Sequence, residues 1–267
     1  MDLSAVNAVY FSPTKTTEKI IRAIAQEVHA EKISYFDCTN IKQREKRLPL
    51  FEKDLLIIGS PVYEGRLPHE TEDFFTTLRG KNAPVVNVVV YGGRAYEDSL
   101  LELQNITIKA GFTPLACAAF IGEHSFSSPK TPIASMRPDS EDIATAREFG
   151  MLIREKLKNV GSLAELEALK IPGKWPYRKR LVDKIKIAPA VDRKRCNLCG
   201  MCLNACPNGA IYRTNHILTD KRRCLLCCAC VKICPHHAKV AKNLLVALYS
   251  RILSFKCRTR KLPALFL

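Results

Sequence analysis

The sequence predicts an α/β chain of two unlike parts: a doubly wound parallel five-stranded sheet, then a small α+β module organised by thiol ligation. Three observations carry this prediction. Apolar runs alternate with helical periodicity over residues 5–158, which is the pattern of a parallel sheet covered on both faces. Nine of the twelve cysteines fall between 196 and 234, and eight of those form two copies of one spacing. Charge divides between the parts as well. Residues 1–169 carry 20 Lys+Arg and 23 Asp+Glu, a balance of −3. Residues 170–267 carry 22 Lys+Arg and three acids (Asp183, Asp192 and Asp220), a balance of +19. Halves of such different chemistry read as separate domains.

The elements follow in order. AVNAVYF, residues 5–11, is a buried strand, and Ile20, Ile21, Ile24, Ala25 and Val28 then mark one face of a helix. A short strand is expected over residues 32–36 and an apolar one over 55–58. A helix is expected from about 69 to 78, a strand over 85–91, a helix over 98–110 and a strand over 113–120. Residues 140–158 form a long last helix opened by Ser140 and Glu141. Right-handed crossovers put any ligand beyond the carboxyl ends of these strands.

Three loops lie there. SPTKTT, residues 12–17, carries four hydroxyls and leads into a helix whose N-terminus supplies amides and a positive dipole end. It reads as a phosphate cradle, or as an ordinary helix cap by Thr16 or Thr17. GSPVYEGRLP (59–68) and YGGRAYED (91–98) both place glycine beside tyrosine. Glycine admits close backbone approach to a flat ligand, and Tyr63 or Tyr96 can stack on it. Taken together, the loops favour a mononucleotide with an aromatic ring. Glu123 and His124 follow the fifth strand and read as a surface turn, with a place near that ring as the alternative.

The cysteines are Cys196, Cys199, Cys202 and Cys206 before Pro207, then Cys224, Cys227, Cys230 and Cys234 before Pro235. Each ligand recurs 28 positions later, so the module is duplicated. The form C-x2-C-x2-C-x3-C-P is the bacterial ferredoxin run, in which three cysteines wrap one cubic 4Fe-4S cluster and the fourth ligates the other. Cluster I is thus assigned Cys196, Cys199, Cys202 and Cys234, and cluster II Cys206, Cys224, Cys227 and Cys230. Paired zinc knuckles, often with histidine, fit this spacing poorly. His236 and His237 read as turn residues, and Cys228 as a small packing residue. Cys38, Cys117 and Cys257 read as buried or free thiols.

The chain resembles the flavodoxin family at its first loop, where Ser12, Thr14 and Thr17 match S/T-x-T-G-x-T. Lys15 stands in the place of the glycine and Thr16 where asparagine is frequent. As a whole it is similar to flavodoxin–ferredoxin fusion proteins of anaerobes and methanogens. The resemblance implies a flavodoxin-like fold, FMN and two 4Fe-4S clusters. For FMN it implies Ser12, Thr14, Lys15, Thr16 and Thr17 at the phosphate. Around the ring it implies Ser60, Pro61, Val62, Tyr63, Gly65, Tyr91, Gly92, Gly93, Arg94, Tyr96 and Asp98. Lys15 is expected to contact the phosphate or to strain its turn.

The expected domains are residues 1–160 (flavodoxin-like), 161–187 (connector), 188–242 (two-cluster ferredoxin) and 243–267 (tail). The connector, with IPGKWPYRKR, is expected to be an ordered strap packed between domains rather than a Gly/Ser linker. The tail is expected to be helical and to pack through Leu245, Leu248, Tyr249 and Ile252; an anionic membrane surface is the alternative. No run approaches 18 apolar residues, and the N-terminus lacks a basic leader. A cytoplasmic protein is expected, with thiols bound to metal rather than to each other.

The function expected is electron transfer between the clusters, FMN and an acidic redox protein such as a small ferredoxin, drawn by the basic half. No side chain needs to act as acid, base or nucleophile. An FMN-dependent reductase of a small acceptor is the alternative. Nucleic-acid binding has only the charge in its favour, since no base-reading module is present. Formation of a homo-oligomer is compatible with the sequence.

Overall fold

The computed structural model describes residues 5–28, 30–180, 186–241 and 243–267. Residues 1–4, which belong to the N-terminal stretch read for a leader, lie outside the described residues, as do 181–185 of the connector and Lys242. The first part runs β1 (Ala5–Tyr10), α1 (Thr16–Glu27), β2 (Lys32–Asp37), α2 (Ile41–Arg44), β3 (Leu55–Pro61), α3 (His69–Phe75), β4 (Ala83–Tyr91), α4 (Ser99–Lys109), β5 (Phe112–Ile121) and α5 (Ser140–Asn159). The strands pair in parallel in the order β2-β1-β3-β4-β5. This is the flavodoxin-like doubly wound order, with its switch point between β1 and β3.

The two central strands are buried along their whole length and mostly apolar because both their faces are covered. Along β4, Val86, Val88 and Val90 face the core beneath α1 and α5, while Val85, Val89 and Tyr91 face the core on the α4 side. Asn87 interrupts that second face, and its amide oxygen accepts from Thr107 Oγ1 at 3.2 Å. Helix α5 can lie close to α1 because Gly150 has no side chain; a Cβ there would sit 2.5 Å from the Ile24 carbonyl oxygen. The α5 N-cap is Asp139 rather than the pair Ser140 and Glu141. Asp139 and Asp142 each accept the other's backbone N–H, which satisfies two amides of the first turn.

Between α5 and the thiol module, the strap lies along α4. Leu169 and Ile171 join the core there. The amides of Lys174 and Arg178 donate to the two carboxylate oxygens of Asp98 at 2.9 and 2.8 Å. Trp175 is exposed while Tyr177 Oη accepts from Asn105.

The second part holds β6 (Ala190–Val191), α6 (Met201–Asn204), β7 (Ile211–Arg213), β8 (Ile217–Thr219), α7 (Ala229–Lys232) and β9 (Lys239–Val240). Two antiparallel pairs, β6–β9 and β7–β8, bracket the two short helices. The 28-residue repeat is visible in the backbone. Left-handed residues recur as Leu198 and Leu226, Gly200 and Cys228, and Gly209 and His237. Cys228 and His237 thus occupy turn positions that the first copy gives to glycine.

The tail forms α8 (Leu244–Lys256) and β10 (Ala264–Phe266). β10 pairs antiparallel with β5 and adds a sixth strand to the five parallel ones. Helix α8 does pack on the protein, but through the other face from the one expected. Val246, Ser250 and Leu253 are buried, whereas Leu245, Leu248, Tyr249 and Ile252 are 43–60% exposed. The smaller side chains admit closer approach, and Ser254 Oγ fixes the helix by donating to the Pro132 carbonyl at 2.9 Å. The two rows lie so near each other on the helix that apolar periodicity alone marks both.

Candidate functional site

The loop after β1 turns at Lys15, which caps α1 in the left-handed conformation (φ 64°). That is the backbone state for which glycine is best suited. The Lys15 ammonium pairs with Glu18 at 2.9 Å and Asp37 at 3.2 Å, so two carboxylates already hold the cation expected at a phosphate. Ser12 is committed too: its hydroxyl accepts the Glu18 amide at 3.0 Å and its own amide donates to Thr39 Oγ1 at 2.7 Å. Thr17 is different. Its side chain is fully buried and its hydroxyl has no hydrogen-bond partner. A buried orphan hydroxyl beside the first amides of a 12-residue helix suits an anion placed there.

The two tyrosine loops meet at the same end of the sheet. Residues 63–66 close a tight turn in which Tyr63 and Arg66 exchange backbone hydrogen bonds. Ser60 is buried and bonds Thr71 and the Pro61 carbonyl. Tyr91 and Tyr96 pack with ring centroids 5.5 Å apart. Arg94 pairs with Glu97. Asp98 is taken up by the strap amides, so its part here is to anchor the strap.

Glu123 and His124 are not a plain surface turn. Glu123 forms an ion pair with Lys232 of α7 at 3.2 Å. The His124 ring lies against Gly92, where a Cβ would come within 2.3 Å of it. His124 Nδ1 accepts the Phe126 amide at 3.0 Å, which leaves the proton of the neutral ring on Nε2. Burial, with Lys232 and Arg94 nearby, lowers its pKa to about 4. Reading the loop as solvated missed this; the signal available in the sequence was a histidine following a buried strand beyond a pair of glycines.

The thiols surround two cavities. Cys196, Cys199, Cys202 and Cys234 line one, and Cys206, Cys224, Cys227 and Cys230, with Cys228 beside them, line the other. The structure therefore brings the fourth cysteine of each run to the opposite set. No cysteine pairs in a disulfide. Among the described residues, no three His, Cys, Asp or Glu side chains converge on a point that one metal ion would occupy. Thiols ringing a cavity suit a cage rather than a single zinc ion. Amides already aim at the sulfurs: Ala210 to Cys206 Sγ and Ala238 to Cys234 Sγ at 3.2 Å each, and Leu226 to Cys224 Sγ at 3.4 Å. Burial pushes the Cys230 thiol up to about 12, so ligation must displace a proton from it. The solitary thiols differ. Burial raises Cys38 and Cys117, and Cys117 donates to Gln104 Oε1.

The second cavity faces the sheet. The Ile41 amide donates to the Pro207 carbonyl at 2.9 Å, Arg44 to Asn208 Oδ1 at 2.7 Å and Asn208 Nδ2 to Glu70 at 2.6 Å. Tyr63 lies in the field of Cys227 and Cys228, and burial with those thiols raises its phenol well above the usual value. The first cavity faces outward, with Cys199 and Met201 exposed.

A flavodoxin-domain model matches residues 8–110, and a 4Fe-4S binding-domain model matches residues 189–212. The chain is a flavodoxin–ferredoxin fusion. The flavodoxin match takes in both the phosphate loop and the two tyrosine loops, and FMN is its cofactor. The ferredoxin match covers the first cysteine run, and the second run is its 28-residue repeat. Over 171 residues the fusion is 28% identical to the dihydromethanopterin reductase (acceptor) of Methanocaldococcus jannaschii. That alignment covers 57% of this chain and 61% of the relative. Among solved structures it is similar to a flavodoxin from the domain Archaea (14% identity, TM-score 0.41, 58% of this chain and 99% of that one). It is also similar to the rubredoxin oxygen:oxidoreductase of Desulfovibrio gigas (17%, TM-score 0.41, 59% and 37%).

Proposed function

We propose that the fusion is an iron–sulfur flavoprotein that passes electrons between an external carrier, its two 4Fe-4S clusters and FMN. Bound FMN exchanges one or two electrons, whereas each cluster exchanges one, which is why joining them on one chain is useful. The observation that carries this reading is the docking of the Cys206, Cys224, Cys227 and Cys230 set against the tyrosine-loop end of the sheet. That set is the inner station. The outward set with exposed Cys199 is the port for a partner.

On this reading the chain's own residues bind and insulate. Thr17, with the amides of residues 14–17, holds the phosphate. Residues 60–65 and 91–96 flank the ring. Asp98 and the strap fix the second of these loops. His124, neutral with its proton on Nε2, supports Gly92 from behind. Tyr63 fills the space between the ring loops and Cys227 and keeps water out of it.

The +19 of residues 170–267 favours an acidic partner protein, such as a small ferredoxin. No helix among the described residues is long and apolar enough to cross a membrane, and the free thiols suit the reducing cytoplasm. Anaerobic purification with iron, sulfide and flavin counts, followed by stepwise reductive titration, tests the cofactors. A transfer rate that falls steeply with added salt is expected with an acidic ferredoxin. A flat response would remove the acidic partner.

The relative's name favours a second reading, reduction of a small acceptor at the flavin. Turnover of a small acceptor without any protein acceptor would favour it.

A further inference from the structure

The two halves of the cluster module share their cysteine register and the amide that caps each fourth sulfur, and next to that amide they differ at a buried position. In the first half Ala210 caps Cys206 Sγ and is followed by Ile211; in the second, Ala238 caps Cys234 Sγ and is followed by Lys239. Ile211 is an apolar core residue, as the position requires. Lys239 is buried just as deeply, at 2% exposure. Among the described residues no carboxylate lies within ion-pair distance of it. Its ammonium donates to Thr219 Oγ1 at 2.6 Å and reaches the Pro189 carbonyl at 3.5 Å. A buried cation with only neutral oxygen partners is costly, and some anion must offset it.

The surroundings identify that anion. The Lys239 stem lines the cavity of the first thiol set, while both partners of its ammonium, Pro189 and Thr219, line the cavity of the second. The side chain thus crosses the wall between the two cavities. Its charge reaches thiols of both: Cys202 and Cys234 on one side, Cys224 and Cys230 on the other. A thiolate-bound cluster is anionic and gains one further negative charge on reduction. A fixed cation beside it favours the reduced form, and net charge nearby is a main determinant of cluster potential.

We propose that Lys239 is a positioning cation shared by both clusters, raising the two reduction potentials together. This rests on the two-cluster reading above and adds the residue that sets its energy level. Lys239→Met keeps the length and removes the charge. EPR-monitored titration of the anaerobic holoprotein, with dithionite as reductant, should show both potentials fall. Held at the wild-type midpoint, the reduced-to-oxidised ratio of each cluster should drop about tenfold, equivalent to about 59 mV for one electron.

Iron and sulfide counts on the same samples separate the failures. Wild-type protein without either would overturn the two-cluster reading itself. Full counts in Lys239→Met with ratios within twofold of wild type would overturn only the role of Lys239. Should the Met variant hold little iron, the swap Lys239→Ile with Ile211→Lys decides. It returns the cation to the equivalent site of the other half. Recovery of iron and of both potentials supports the shared cation, and no recovery overturns it.

Discussion

The sheet and the cluster module are held together by different means. The sheet buries two apolar layers, one under α1 and α5 and one under α3 and α4, with residues such as Phe149, Ile58 and Phe75 wholly enclosed. The contiguous core of the cluster module is only Cys202, Ile211, Ile217 and Cys230. Two of those four are metal ligands by assignment. The first part has two extensive side-chain cores, whereas the second is expected to depend on the clusters assigned to its thiols. On this comparison the flavin scaffold should hold without the clusters, and the cluster module should not.

Removing the clusters should break the comparison most sharply. Chelation after oxidation is expected to abolish hydrogen-exchange protection over residues 188–241 while leaving β3 and β4 protected. Simultaneous loss in both parts would show a single cooperative unit. A gentler version, Cys206→Ser, should cut iron by about half and alter the same EPR signal as Cys227→Ser. Altering the Cys199→Ser signal instead would refute the exchange of the fourth ligand.

In the sheet the largest effect belongs to packing. Phe149 is fully buried against Phe120, so Phe149→Ala should cost about 3–5 kcal/mol in urea unfolding. Cluster content at low denaturant should be unchanged. A smaller effect, at the junction, follows from His124. Its folded pKa, about 4, lies below the ordinary 6.5. Between those values the unfolded chain binds more protons, so stability rises with pH there and is lost as pH falls. At about 1.4 kcal/mol per pH unit, moving from pH 7 to 5 should cost about 2 kcal/mol. His124→Asn should flatten that slope; an unchanged slope would assign it to other groups.

The smallest effect is expected at Lys15. Lys15→Gly should relieve about 1 kcal/mol of left-handed strain and lose exposed ion pairs worth about as much or less. With the ammonium held by Glu18 and Asp37, FMN affinity should stay level or rise. Weakened FMN binding would restore Lys15 as a phosphate contact.

The sheet was legible because β3 and β4 are covered on both faces and read as apolar runs with few polar interruptions. The cysteine register was legible because cage geometry tolerates few spacings. Other features depended on tertiary partners. Three residues of β10 carry no pattern until β5 offers an edge. The packing face of α8 was misjudged because two apolar rows share one short helix. His124 was taken for a turn residue because its neighbour Gly92 is distant in sequence. Lys239 did leave a trace: aligning the two cysteine runs at 28 residues sets it opposite Ile211.

The pairing of β10 with β5 makes the cluster module an insertion, pinned to the sheet on both sides rather than hung from one end. Such double tethering limits how far the inner cavity can swing from the tyrosine loops, so the gap between them stays short without a large interface. It also means that a piece cut after residue 160 would leave Cys117–Ala119 as a bare, apolar sheet margin. That margin invites stacking with a second copy.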